Sequence, residues 1–348
     1  YCGDGQNFGN TYQYDSQNQL IRFDSEELNS IYTWTYDDAG NITSRKEYAF
    51  SDYALQNPLD TVVYEYNDAD WGDKLTSYDG RVFEYDAIGN LTDDEEWEYA
   101  WQHGRQLASM SNGATTWTYT YDANGMRTKR TNGTYGYEYV YDGSKLVSMT
   151  VNGYSHYFSY DATGIPLAIT INDYDYYYVT NLQGDVIGIL DQDGNRVATY
   201  LYDAWGNVEC ISDDPIADYN PLLYRGYVYD FETGLYYLQS RYYNPEWGRF
   251  INGDGLVTTG QGVLSYNMYA YCSNNPVMGY DPTGEINAWG VLVGIGLGVL
   301  AVGAAALTVV TAGAASPLVA TAGVAIGTFA TAALTSSLGG SIIATIPT

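Results

Sequence analysis

Along most of the chain, aromatic and small polar residues alternate in short runs, and each run ends on an acidic residue followed by a glycine. Trp117-Thr118-Tyr119-Thr120-Tyr121 is the clearest case, with aromatics at every second position and threonine between them. Period-two alternation of this kind predicts a strand with one apolar and one polar face. Tyr-Asp pairs close such runs at Tyr14-Asp15, Tyr36-Asp37, Tyr85-Asp86, Tyr121-Asp122, Tyr141-Asp142, Tyr160-Asp161, Tyr202-Asp203 and Tyr229-Asp230. Tyr66-Asn67 and Thr180-Asn181 read as degenerate copies. Most neighbouring phrases lie roughly 16 to 22 residues apart, a period that predicts a stacked or coiled β architecture.

After the pair comes Asp-x-x-Gly, as in Asp37 to Gly40, Asp86 to Gly89, Asp122 to Gly125, Asp161 to Gly164 and Asp203 to Gly206, with one extra residue in Asp230 to Gly234. An Asp side chain can accept a bond from a backbone N–H two residues on, and Gly at the fourth position can take the left-handed conformation that closes a hairpin. A second strand follows, such as Asn90-Leu91-Thr92. One copy is therefore about one hairpin, and the array makes one long sheet. Calcium ligation would need alternating carboxylates that these loops lack, so the aspartates read as turn residues. Aromatic ladders could stack on carbohydrate, but the alternation accounts for them as core. His103 and His156 read as structural.

Two stretches differ from the array. Leu222 to Glu285 is a denser, more specialised segment. Ile286 to Thr348 holds no Asp, Glu, Lys or Arg. Within it, Trp289 to Ala315 and Leu318 to Leu338 are each long enough to span a bilayer as a helix. Ser316-Pro317 separates them, which predicts an α-helical hairpin, and Gly290, Gly294 and Gly298 would let two helices approach closely. Without His, Cys or any charged side chain, acid–base and metal chemistry are excluded from this tail.

Charge changes the picture further. The formal net charge of −28 belongs to residues 1–285 alone, and such a field repels phosphate backbones, so nucleic-acid binding by that region is not expected. Disorder is not expected either, because the chain carries 39 Tyr, 8 Trp and 8 Phe, whereas disordered acidic chains are poor in aromatics. Cys2, Cys210 and Cys272 are odd in number and far apart, which fits neither a disulfide framework nor a metal cluster. The chain starts at Tyr1 and shows no signal peptide, and it is expected to be the C-terminal part of a longer protein.

The phrase Tyr-Asp-x-x-Gly-x-Leu/Val resembles the YD repeat of the Rhs (rearrangement hotspot) proteins. Tyr224 to Gly284 resembles the Rhs repeat-associated core. The matching pieces, in order, are Tyr224-Arg225-Gly226, Thr233-Gly234-Leu235-Tyr236-Tyr237, Ser240-Arg241-Tyr242-Tyr243-Asn244-Pro245, Gly248-Arg249-Phe250-Ile251, Tyr269-Ala270-Tyr271, Asn274-Asn275-Pro276-Val277 and Asp281-Pro282-Thr283-Gly284. The resemblance implies a polymorphic toxin carrier, related to the C component of insecticidal toxin complexes and to teneurins. In such proteins the repeats spiral into a hollow β-shell around a C-terminal toxin, and the core plugs one end. The core also cuts the chain just after its Asp-Pro-x-Gly-Leu motif by an aspartic-type self-cleavage.

Carried over, the two acids are Asp281 and Asp254, with Arg249 orienting one of them, and the junction is Gly284, Glu285 and Ile286. One carboxylate activates water while its partner donates a proton, a division that two close carboxyls favour. Two positions depart from the family pattern: Glu285 stands where Leu is usual, and Asp254-Gly255 where Asp-Pro is usual. Tyr280-Asp281-Pro282-Thr283-Gly284 is also a Tyr-Asp-x-x-Gly phrase, so Asp281 could simply be the last turn residue. The expected fold is mainly β: a repeat shell over 1–221, a core over 222–285 that closes it, and an apolar helical tail over 286–348. The expected function is encapsulation and delivery of an effector in interbacterial competition, with at most a single-turnover aspartic autoprotease as enzyme. No cofactor or metal is expected. The expected partners are the chain's own C-terminal segment as cargo, an immunity protein and a target-cell membrane. The alternative is a surface carbohydrate-binding or adhesion module with the tail as anchor. Either way the protein is expected to be secreted or at the cell surface.

Overall fold

The computed structural model describes residues 9–212, 215–255, 263–285, 288–289, 333–335 and 341–343. Contacts divide the chain into two units, Tyr1–Val299 and Leu300–Thr348. Repeats and core thus fall in the first of these units. In the second unit the described residues are the antiparallel strands Ala333–Thr335 and Ser341–Ile343. Apart from Ala288–Trp289 and these two strands, the expected helical hairpin lies outside the described residues. Where Leu318 to Leu338 is described, at Ala333–Thr335, it is extended rather than helical. Among the described residues no helix is long and apolar enough to cross a membrane.

The first unit is mainly β. Strands from Asn10–Tyr14 to Arg81–Val82 form a seven-stranded sheet, and strands from Glu84–Tyr85 to Val208–Ile211 a fourteen-stranded one, each in sequence order. A four-stranded sheet, Val228–Asp230, Leu235–Tyr237, Tyr242–Asn244 and Arg249–Phe250, forms the centre of the core segment. All these pairings are antiparallel. The sheets are not closed: a meander pairs each strand only with its sequence neighbours, so its two outer strands stay at the edges.

Local chemistry builds the hairpins as the pattern predicts. Trp117 and Tyr119 are buried, while Thr116, Thr118 and Thr120 are exposed. At Asp15, Asp37, Asp86, Asp122, Asp161 and Asp203 the Asp Oδ1 accepts backbone N–H groups two and four residues on. Ala39 and Asn41 donate to Asp37 at 2.9 and 2.8 Å, and Asn124 and Met126 to Asp122 at 2.8 and 2.9 Å. Gly40 closes the turn with φ +79°. Asn181 does the same work in its degenerate copy, accepting from Gln183 and Asp185.

The tyrosine of the phrase has a role that alternation did not reveal. Its hydroxyl donates to a strand carbonyl in the preceding repeat: Tyr36 to Leu20 at 2.6 Å, Tyr121 to Leu107 at 3.0 Å, Tyr160 to Leu146 at 2.8 Å and Tyr202 to Val186 at 2.6 Å. A buried phenol generally needs such a partner, and at these four positions it ties one repeat to the one before; the buried Tyr141 hydroxyl makes no such bond.

The core segment docks on the repeats through buried charge as well as apolar surface. Arg127, from the fourteen-stranded sheet, grips Asp230 with two bonds of 2.5 and 2.9 Å, and neither side chain is exposed. Tyr139 and Tyr237 rings flank its guanidinium at 4.7 and 4.4 Å. Arg130 adds Glu232 at 2.6 Å, so the buried group balances. Asp230→Asn would leave Arg127 buried without its counter-charge, and chemical unfolding should show a loss of about 3–5 kcal/mol.

One turn aspartate is unlike the others. Asp203 is buried, and that burial, reinforced by Glu209, pushes its carboxyl up from 3.8 to about 7. Arg45 is the cation that opposes this. The folded state therefore holds a proton that the unfolded chain releases. Its stabilising effect is complete below pH 3.8 and lost as pH rises through about 7, a difference on the order of 4 kcal/mol. Asp203→Asn keeps the turn, as Asn181 shows, and should flatten this pH dependence when melting temperatures are compared between pH 5 and pH 8.

Candidate functional site

The end of the core segment folds into one more turn of the repeat type. Asp281 Oδ1 accepts N–H groups from Thr283 at 3.3 Å, Gly284 at 2.8 Å and Glu285 at 3.1 Å. The donors two and four residues on are those of the repeat turns, so the turn reading of Asp281 describes its local geometry. Pro282, with its fixed φ, suits the second position, and Gly284 has φ +79°.

What separates Asp281 from the repeat aspartates is its surroundings. Like Asp230 it is fully buried, but its guanidinium partner is shared with a second acid: its other oxygen lies 3.4 Å from Arg241 Nη2. The same nitrogen lies 3.1 Å from Asp254 Oδ2. Both expected acids thus meet at one guanidinium. Arg241 Nη1 also donates to the Met268 carbonyl at 3.1 Å, and Nε donates to the Gly284 carbonyl. Its plane covers the Phe250 ring at 3.5 Å. Burial pushes Arg241 downward, and the charges of Asp254 and Asp281 oppose that shift. Asp254 is tied by its backbone N–H to the Met268 carbonyl at 2.9 Å, and its side chain is 14% exposed against 0% for Asp281. Above the turn, the Asp281 N–H donates to Tyr227 Oη at 2.8 Å, and that hydroxyl meets the Tyr271 hydroxyl at 3.0 Å.

The expected arginine is elsewhere. Arg249 donates to Tyr66 Oη at 2.8 Å, the Asp73 carbonyl at 2.6 Å and Asn41 Oδ1 at 3.3 Å, which pins the core to the seven-stranded sheet. Successive strand residues point to opposite faces. Phe250 takes the face beneath Arg241, which sends Arg249 to the other. Arg241 was the residue missed, although it sits in the Ser240-Arg241-Tyr242-Tyr243 piece of the resemblance. Glu285 is exposed, and Ile286, the far side of the expected junction, lies outside the described residues. Among the described residues no group of three or more His, Cys, Asp or Glu could hold a metal ion, and Cys272 is a buried free thiol.

Antiparallel Tyr-Asp meanders carrying a docked core segment are the build of a YD-shell protein. The chain belongs to the Teneurin YD-shell family, which it matches over residues 4–277. It is similar to the tRNA nuclease WapA of Bacillus subtilis, with 48% identity over 106 residues, 30% of this chain and 4% of WapA. Toxin protein Tse5 of Pseudomonas aeruginosa is 46% identical over 66 residues, 19% of this chain and 5% of Tse5. Double-stranded DNA deaminase toxin A of Burkholderia cenocepacia is 32% identical over 121 residues, 34% of this chain and 8% of that toxin. The chain thus spans only a small part of the length of these relatives. In fold it is similar to the Tc toxin shells. The crystal structure of TcdB2-TccC3-Cdc42 matches with a TM-score of 0.62 and 21% identity, over 80% of this chain and 16% of that one. TcdB2-TccC3 without its hypervariable C-terminal region matches at 0.63 and 21%, over 79% and 15%.

Arg241→Gln would leave two carboxylates facing each other with no cation between them. Buried unpaired charge is costly, so the melting temperature should fall most near pH 8 and recover towards pH 4, where carboxyls take up protons. An equal fall at both values would mean that Arg241 acts through packing alone.

Proposed function

We propose that this chain is the shell-and-core part of an Rhs-type toxin carrier, which encloses a C-terminal effector, is exported, and frees its cargo by cutting itself after Glu285. The observation that carries the reading is the Asp281–Glu285 turn, held by Arg241 beside Asp254 where the core segment ends. The relatives support it, since proteins named for tRNA cleavage, DNA deamination and toxicity each share a stretch with this chain. The hypervariable C-terminal region of TcdB2-TccC3 agrees with cargo at that end.

In this reading Asp254, the more exposed acid, takes a proton from water, and the hydroxide adds to the Glu285 carbonyl. The bond from that carbonyl to the Ile286 nitrogen breaks, and the nitrogen leaves with the proton that Asp254 took from water, relayed to it by Asp281. One water is consumed, giving a new carboxyl on Glu285 and a new amine on Ile286. Arg241 anchors both acids and the Gly284 carbonyl one residue upstream. Residues 286–348 are then the leader of the cargo; their uncharged sequence suits entry into a target-cell membrane and an immunity protein that guards against it.

Purified whole chain, run on a denaturing gel and weighed by mass spectrometry, should yield a fragment starting at Ile286. Asp281→Asn and Asp254→Asn should each abolish it. A chain that stays intact in every preparation would remove the protease from this account.

A further inference from the structure

The residues just before Arg241 meet the terminal turn in step with it. Gln239 Nε2 donates to the Pro282 carbonyl at 3.2 Å. Ser240 donates to the Thr283 carbonyl twice, from Oγ at 2.7 Å and from its backbone N–H at 3.1 Å. Arg241 Nε takes the Gly284 carbonyl. Three consecutive side chains thus hold three consecutive carbonyls, in the same chain direction. Gln239 has φ +67°, in the left-handed region that disfavours a side chain, and strain of this kind persists only where the surroundings impose it.

The side chains of the held segment are treated differently. Pro282 and Glu285 are exposed, and the buried Thr283 Oγ1 has no hydrogen-bond partner. Gly284 is the exception: an added Cβ would lie 2.7 Å from the Leu238 carbonyl oxygen, 2.7 Å from Ser240 Oγ and 3.0 Å from Arg241 N. Two of those atoms are backbone and cannot swing away.

We infer that Gln239-Ser240-Arg241 is the substrate-positioning clamp of the self-cleavage, reading main-chain carbonyls and the absence of a side chain at Gly284. This rests on the self-cleavage reading above. The clamp explains how a charged Glu285 can occupy a position where the family resemblance implies Leu, since the clamp holds main-chain atoms and the Glu285 side chain is exposed. It also keeps the new C-terminus on the core after the cut, because all its contacts lie upstream of the broken bond.

The test uses the full chain in two forms. In the cleaving chain, Gln239→Ala with Ser240→Ala should slow processing at least tenfold across the pH range without changing the shape of the pH profile. Gly284→Ala should abolish processing. In the uncut Asp254→Asn chain, the double alanine variant should speed hydrogen exchange at the Gly284 and Glu285 amides, with exchange in the repeat strands unaltered. Faster exchange in a protein whose parent chain never cuts would keep the clamp and end the cleavage reading. Unchanged processing together with unchanged exchange would overturn the clamp, as would wild-type processing of Gly284→Ala.

Discussion

A carboxylate that accepts the backbone N–H groups two and four residues downstream is the interaction on which this molecule depends. It satisfies donors that a tight turn would otherwise leave bare, and it fixes where each strand ends. Repeated along the chain, it makes the meanders; at Asp281 it makes the terminal turn. The difference between a structural aspartate and a candidate catalytic one is thus not its own conformation. It is the second acid, Asp254, that the Arg241 guanidinium joins to the buried Asp281.

That guanidinium can be placed only because the core segment is anchored on several sides. Arg127 and Asp230 lock its first strand to the longer meander, and Arg249 locks its last to the shorter one. The tyrosine hydroxyls keep the repeats in register beneath. Buried arginines with carboxylate, hydroxyl and carbonyl partners contribute geometry more than net stability, since removing either partner costs far more than the pair provides. A hub of this kind holds a short turn still, as a bond-cutting site must.

What could be read in the sequence was what acts locally. Alternation gave the strands around Trp117 and Tyr119, and Asp-x-x-Gly marked the turns, because donor and acceptor are at most four residues apart. The tyrosine bonds span 14 to 16 residues and leave no trace in composition. Arg241 is 40 residues from Asp281, and Arg249 is an equally good candidate until strand alternation assigns their faces. The repeat-like form of Asp281-Pro282-Thr283-Gly284 could be read both as turn and as site, and the geometry joins the two readings, since the turn brings the residue to its partners. Neither the open edges of the sheets nor the unusual burial of Asp203 could be seen in a phrase shared with its exposed counterparts.

The central claim, that two aspartates held by one arginine direct water at the peptide bond after Glu285, is met most directly by letting the chain mature in water enriched in oxygen-18. The account predicts a core fragment ending at Glu285 with one heavy oxygen in its new C-terminal carboxyl, and an Ile286 fragment with none. A fragment that ends elsewhere, or one ending at Glu285 without the label, would contradict it.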